Sequence, residues 1–342
     1  MDNYSDVYIK LFPSCKPVKG YRRGIICDLE NMTYHLVPNS LIDLLELLTN
    51  TKLKDIEKVV EDDSLQVLNE YTSFVLDNNL GFITEDPVSF SDIETLFHHP
   101  STISNAILVS GSDSQHDYPD ILNQLDQLNC KGLELRFFYS PTEDELNDIL
   151  SLAEDSRLQS IDLILKHSPY MNDTYFIDLV TKYRRLSYIQ VHSAPFDHEY
   201  YIEENFAFLR YTSVRIIDNS FCGCISPKNF AVNVLLFTES LNFNNCLNKK
   251  IAIDEDGKIK NCPSMQNSHG TITNTKLKDV VENEEFRQLW GLTKDEIDIC
   301  KDCEFRYICT DCRAFTEHGE VASKPSKCNY DPYNNSWRNV ES

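Results

Sequence analysis

In the stretch CKDCEFRYICTDC, Cys300, Cys303, Cys309 and Cys312 form two CxxC units. Two thiolates separated by a tight turn point at one ion or cluster, and the N–H groups of the turn soften the negative charge they gather. Cys328 follows, and upstream CLNKKIAIDEDGKIKNC carries Cys246 and Cys262. Alternation of IAI and KIK around Asp254-Glu255-Asp256-Gly257 predicts a β-hairpin that brings Cys246 and Cys262 together. Seven thiols at this density point to metal, and four thiolates fill either a zinc site or a cubane iron–sulfur cluster. FCGCISP adds Cys222 and Cys224, which read either as a further ligand or as small apolar residues ending a strand. Cys15, Cys27 and Cys130 stand alone in apolar surroundings and read as core thiols.

Other chemistries find no support. The ten glycines never occur as a pair, and neither GxGxxG nor GxxxxGK[ST] can be drawn, so the backbone cradles that hold nucleotide phosphates are missing. HExxH and GxSxG are absent too. The nine histidines are scattered, and His98-His99 before Pro100 reads as an exposed turn. A net charge of −22 repels phosphate, which argues against nucleic acid and anionic membrane surfaces as partners. Residues 246–328 hold 13 Lys and Arg against 15 Asp and Glu, so the excess acid lies outside the cysteine-rich tail. No apolar run is long enough for a membrane helix. MDNYSDVYIKLFPSCK has neither the basic start nor the apolar core of a secretory signal. A cytoplasmic location is expected, where thiols stay reduced and close spacing favours metal over disulfides.

The elements that must position the cysteines show three rhythms over 342 residues. In the first, GYRRGIICDL and MTYHLVP alternate as a hairpin around Glu30-Asn31. SLIDLLELL then predicts a helix behind a Ser40 cap, and a second helix runs from Ser64 to near Asn79 and Gly81 before a short strand. Pattern alone reads this as a small α+β module or a structural cap. From about 100 to 217, five apolar runs, SNAILVS, GLELRFFY, SIDLILK, LSYIQVH and SVRII, alternate with helical stretches. Such units imply parallel strands with right-handed crossovers, in an open sheet or a partial barrel. The cysteine-rich tail follows. The expected domains are 1–90, 91–219 and 220–342, in an α/β fold.

The spacing C-x10-G-x4-C, then C-x2-C-x5-C-x2-C, then a last Cys, resembles the seven-cysteine signature of the SPASM domain, which binds auxiliary [4Fe–4S] clusters in radical-SAM peptide-modifying enzymes. It departs where that family has C-x3-C, at Cys309 and Cys312. The resemblance implies one cluster on Cys300, Cys303, Cys309 and Cys328 and a second on Cys246, Cys262 and Cys312 with Cys222 or Cys224. Zinc is the alternative metal. A radical-SAM enzyme also needs CxxxCxxC after its first strand, and here NAILVS runs into GSDSQHDYPD. The chain therefore resembles a radical-SAM barrel without its chemistry. CLNKKIAIDEDGKIKNCPSM and CKDCEFRYICTDCRAF liken it further to SPASM-domain peptide maturases of grasp-with-spasm systems. That likeness implies a precursor peptide and an ATP-grasp ligase as partners, no catalytic residue for cleaving S-adenosylmethionine, and an N-terminal winged-helix recognition element that takes a leader peptide as an extra strand. Arg22 and Arg23 are the positions expected to meet an acidic leader residue. An incompletely ligated cluster acting on a peptide, or a zinc-stabilised interaction module, stands as the alternative function.

Overall fold

The alternation of the first ninety residues becomes two small sheets braced by helices. The computed structural model describes residues 6–338, so residues 1–5, where a secretory signal would begin, lie outside it. Its elements begin β1 (Tyr8–Leu11), β2 (Cys15–Lys19), β3 (Gly24–Asp28), β4 (Thr33–Val37), α1 (Asn39–Leu48), α2 (Leu53–Glu57), α3 (Asp62–Asp77) and β5 (Gly81–Thr84). Strands β2-β3-β4 form an antiparallel sheet with β4 at one edge, and β1 pairs antiparallel with β5. The expected hairpin is β3 and β4, closed where Asp28 pairs with Thr33. Asp28 Oδ1 accepts from the N–H groups of Glu30 and Asn31, and Met32 takes a left-handed φ of 56° to complete the turn.

Sequence reading missed β1, which pairs with β5, and β2, which adds to the hairpin along β3. It also placed a cap on Ser40. Helix α1 instead starts at Asn39 behind Pro38 with no side-chain cap, and Ser40 Oγ lies 2.7 Å from the Tyr71 hydroxyl of α3.

Every residue of β3 is buried, and the strand serves two cores. Ile26 packs with Leu41, Leu45, Leu68 and Val75 of α1 and α3. Ile25 and Cys27, on the opposite face, pack with Phe237, Phe305, Ile308 and Tyr330. The N-terminal sheet thus shares a core with the cysteine-rich tail. The fold accordingly divides into two compact units, one drawn from Met1–Phe97, Cys224–Asn245 and Leu292–Ser342, the other from His98–Gly223 and Cys246–Gly291. Each contains part of the tail.

The second unit is the strand-and-helix region. Its elements are β6 (Asn105–Ser110), α4 (Tyr118–Gln127), β7 (Gly132–Phe137), α5 (Glu143–Glu154), β8 (Ser160–Lys166), α6 (Asp173–Lys182), β9 (Leu186–His192), β10 (His198–Ile202), β11 (Ala207–Tyr211), β12 (Lys250–Ile253) and β13 (Ile259–Lys260). They build one sheet in the order β10-β11-β9-β8-β7-β6-β12-β13, parallel from β11 to β12 and antiparallel at both ends. The mostly parallel sheet agrees with expectation. Asp117, Thr142 and Asn172 cap α4, α5 and α6 through their side chains. One sheet face, including Leu108, Leu135, Leu163 and Ile189, packs into a core with Ile121, Leu146 and Phe176 of these helices. By register, the opposite face carries Glu134 and Arg136, Asp162, Tyr188, Gln190, Phe208 and Arg210.

One expected strand is corrected. SVRII is irregular, and the strand paired to β9 is β11, AFLRY. After Tyr211 the chain hydrogen-bonds to the end of β9 and the loop beyond it: Thr212 N–H donates to Val191 O and Ser193 N–H to Val214 O, at 2.9 and 3.0 Å. Asp197 then accepts from both Ser213 N–H and Ser213 Oγ. Those bonds consume the backbone that a separate strand would need. Among the described residues, no helix is long and apolar enough to cross a membrane.

Candidate metal centre

Two buried apolar side chains, Phe305 and Ile308, anchor the loop between the CxxC units in the core that also holds β3. Ile299 at φ 68° reverses the chain just before Cys300, and Cys303 N–H closes a tight turn onto Cys300 O at 3.0 Å. Cys328 arrives from a separate loop and forms an isolated parallel bridge with Ile225. As a result Cys300, Cys303, Cys309 and Cys328 line one cavity of about 30 Å³. None of the four is in a disulfide. They border a volume; among the described residues, no three Cys, His, Asp or Glu side chains converge on one point as a single ion requires. These four are the cysteines that sequence resemblance assigns to one cluster.

Burial dominates the chemistry of these thiols. It pushes Cys300 up to about 12 although Lys294 opposes the shift, raises Cys303 well above the ordinary thiol range, and raises Cys309 against the same lysine. Soft thiolate donors with no nitrogen or carboxylate among them match iron–sulfur clusters and zinc.

Lys294 is the residue that sequence reading missed. It is 4% exposed and lines the cavity, and its Nζ donates to Cys309 O. Among the described residues no carboxylate pairs with it. Burial works against its charge, yet the fields of Cys309, Asp311 and Cys300 outweigh burial and hold its pKa above the usual lysine value. A buried cation needs an anion. Asp311 supplies part of that negative charge, and thiolates bound to a metal would add to it. The readable signal was the capping box, in which Thr293 and Glu296 bond reciprocally around a short 3₁₀ turn and hold Lys294 at its start.

The loop is tied to the N-terminal sheet within the same unit. Tyr21 N–H donates to Asp302 O at 2.8 Å, Arg306 Nη1 to Lys19 O at 2.6 Å, and Arg23 Nε to Glu304 Oε1 at 2.8 Å. Tyr330 hydroxyl donates to the same Glu304 oxygen at 2.5 Å. Arg23 is therefore committed to Glu304 and is not available to meet a leader, while Arg22 stays exposed. Gly20 is required here, because a Cβ on it would come within 2.7 Å of Glu304 N.

The remaining nominated cysteines are divided. Cys312 is buried in the first unit beside Asp311, which pairs with Arg313 at 2.6 Å and with Asn244 Nδ2 at 2.5 Å. Cys224 is exposed in that unit. Cys222, Cys246 and Cys262 are partly buried in the second unit. There the expected hairpin is present as β12 and β13, with Asp254 Oδ1 accepting from Asp256 and Lys258 N–H and Gly257 at φ 78°. Buried Arg136 on β7 pairs with Glu134, donates to Asn219 Oδ1 at 2.8 Å and lies over Phe221. Burial opposes its charge, while Glu134 and then Cys222 and Cys262 favour it, so both thiols lie within the reach of its field. Cys15, Cys27 and Cys130 are buried core thiols, raised to about 11, 12 and 12 chiefly by burial.

The cavity is thus a four-thiol centre with a buried cation on its wall, carried by a mixed α/β chain. No family model matches the chain, and no curated protein does. Among solved structures it is similar to the crystal structure of Streptococcus suis SuiB bound to S-adenosylmethionine, at 11% identity over 90% of this chain and 95% of that one, with a TM-score of 0.34.

Proposed function

We propose that this protein is an accessory factor in the maturation of a ribosomally made peptide: it binds the precursor, cooperates with an ATP-grasp ligase, and is stabilised by [4Fe–4S] clusters without cleaving S-adenosylmethionine. The observation that carries the cluster reading is the four-thiol cavity with buried Lys294 on its wall, which makes no salt bridge among the described residues. Thiolates that bind metal only in the folded chain convert binding energy into folding energy. The second cluster, on Cys246, Cys262, Cys312 and Cys222 or Cys224, rests on the resemblance to the SPASM signature.

The recognition role falls to residues 1–90, read as a winged-helix-like element, and residues 91–219 are read as a partial radical-SAM-like barrel. Among the described residues strand β4 pairs only with β3, His35 on it meets Phe74 of α3 edge-on at 6.0 Å, and Asn69, Glu70, Ser73 and Phe74 line a shallow patch on α3. An extended leader added to such an edge gains backbone pairing, with side-chain selection from the helix beside it.

The test joins both halves. Protein purified anaerobically should contain iron and acid-labile sulfide, and labelled leader should bind the full chain but not the Ser73→Trp variant, whose bulk covers the patch on α3. Zinc without sulfide would replace the cluster reading by the zinc-stabilised module. Leader binding unaffected by Ser73→Trp would remove α3 from recognition.

A further inference from the structure

We propose that Lys294 sets the reduction potential of the cluster held by Cys300, Cys303, Cys309 and Cys328, an inference that rests on the cluster reading above. The argument is a balance of charges. The charged side chains that line the cavity are Lys294 and Arg306, and Asp311 and Glu304 lie next in sequence to Cys312 and Cys303. Asp311 is matched by Arg313 at 2.6 Å, and Glu304 by Arg23 at 2.8 Å. Arg306, which also borders the cavity, is matched by Asp295 at 2.9 Å. Among the described residues that line the cavity, Lys294 is the cation with no salt bridge, held in place by the Cys309 carbonyl and sealed from solvent.

A structural staple needs its four thiolates neutralised in part, but a fixed buried cation does something further. It stabilises whichever state of the centre carries one more negative charge, and it does so strongly where solvent cannot screen it. The step it favours is one-electron reduction of [4Fe–4S]²⁺ to [4Fe–4S]⁺, the electron coming from a low-potential one-electron donor. No bond breaks and no proton moves, since Lys294 is protonated before and after. The centre is then an electron-accepting site and not an inert staple.

The experiment is an anaerobic redox titration of the full-length protein with dithionite, followed by electron paramagnetic resonance and by iron and sulfide content. Lys294→Gln keeps a donor for Cys309 O and removes the charge. At the wild-type midpoint, its ratio of reduced to oxidised cluster should fall by about tenfold or more, with iron and sulfide unchanged. Lys294→Arg keeps the charge and should titrate close to wild type. A loaded Gln variant with an unshifted midpoint overturns the proposal and leaves the cluster reading intact. So does a loaded Arg variant that titrates as though the charge were gone, which decides the matter if the Gln variant fails to load. Wild-type protein without iron and sulfide overturns the cluster reading first.

Discussion

Asp162 sits opposite Glu134 on neighbouring parallel strands, two carboxylates on one sheet face. Burial raises its pKa, Ser187 partly offsets the shift through a 2.9 Å bond, and Glu134 adds to it. A carboxyl held above its unfolded value binds its proton more tightly when folded, so stability falls as pH rises through the carboxylate range. At neutral pH the ionised group is a net cost. Asp162→Asn should raise Tm by ~2 °C at pH 7, and the gain should vanish below about pH 4, where both variants are uncharged; thermal unfolding across pH checks it. Spacing and density nominated seven cysteines for metal, and the resemblance to the SPASM signature grouped the four that line the cavity. They did not nominate Lys294, because a lysine in a charged stretch reads as solvated and its burial depends on the loop folding over it. Arg23 was misjudged for the same reason: its partner Glu304 is far away in sequence.

At the scale of elements, the alternating and continuous apolar runs found β3, β4 and β6 to β9, since the side chains of these strands pack on cores built nearby. SVRII failed because hydrogen bonds to the β9 loop, not its apolar pattern, decide its path. Strand β3 explains why residues 1–90 could not be read as self-sufficient. One of its faces is completed by α1 and α3, but the other needs Phe305, Ile308 and Tyr330. An isolated 1–90 fragment should therefore show no cooperative unfolding by circular dichroism. In the full chain, Arg23→Ala strands the carboxylate of Glu304, which is 1% exposed, and should cost about 3 kcal/mol in denaturant unfolding. A cooperative fragment would show that the tail is only a passenger on β3.

At the scale of the whole molecule, the loop after the first parallel strand bears on the proposal that the chain does not cleave S-adenosylmethionine. Gly111 N–H donates to Ser114 Oγ at 2.9 Å, Ser114 Oγ donates to Glu255 O at 2.7 Å, and His116 Nε2 lies 2.8 Å from Val109 O. Serine and histidine knit this loop, with no thiol for an open iron. Anaerobic incubation with S-adenosylmethionine and dithionite should yield no 5′-deoxyadenosine above a protein-free control, and inserting CxxxCxxC between Gly111 and Tyr118 should not change that, since no paired glycines are present to receive the cofactor. The division of the chain has a different kind of consequence. The ribosome makes Met1–Phe97 before any of Leu292–Ser342 exists, so the second face of β3 stays uncovered while the whole eight-stranded sheet is synthesised. Contacts between such distant segments form late and leave apolar surface open in the meantime. Of the four thiols around the cavity, Cys328 comes last. On the proposed cluster, metal supply would act only once Cys328 has been made, and a cell short of iron would be left with chains in which the second face of β3 is the last to be sheltered.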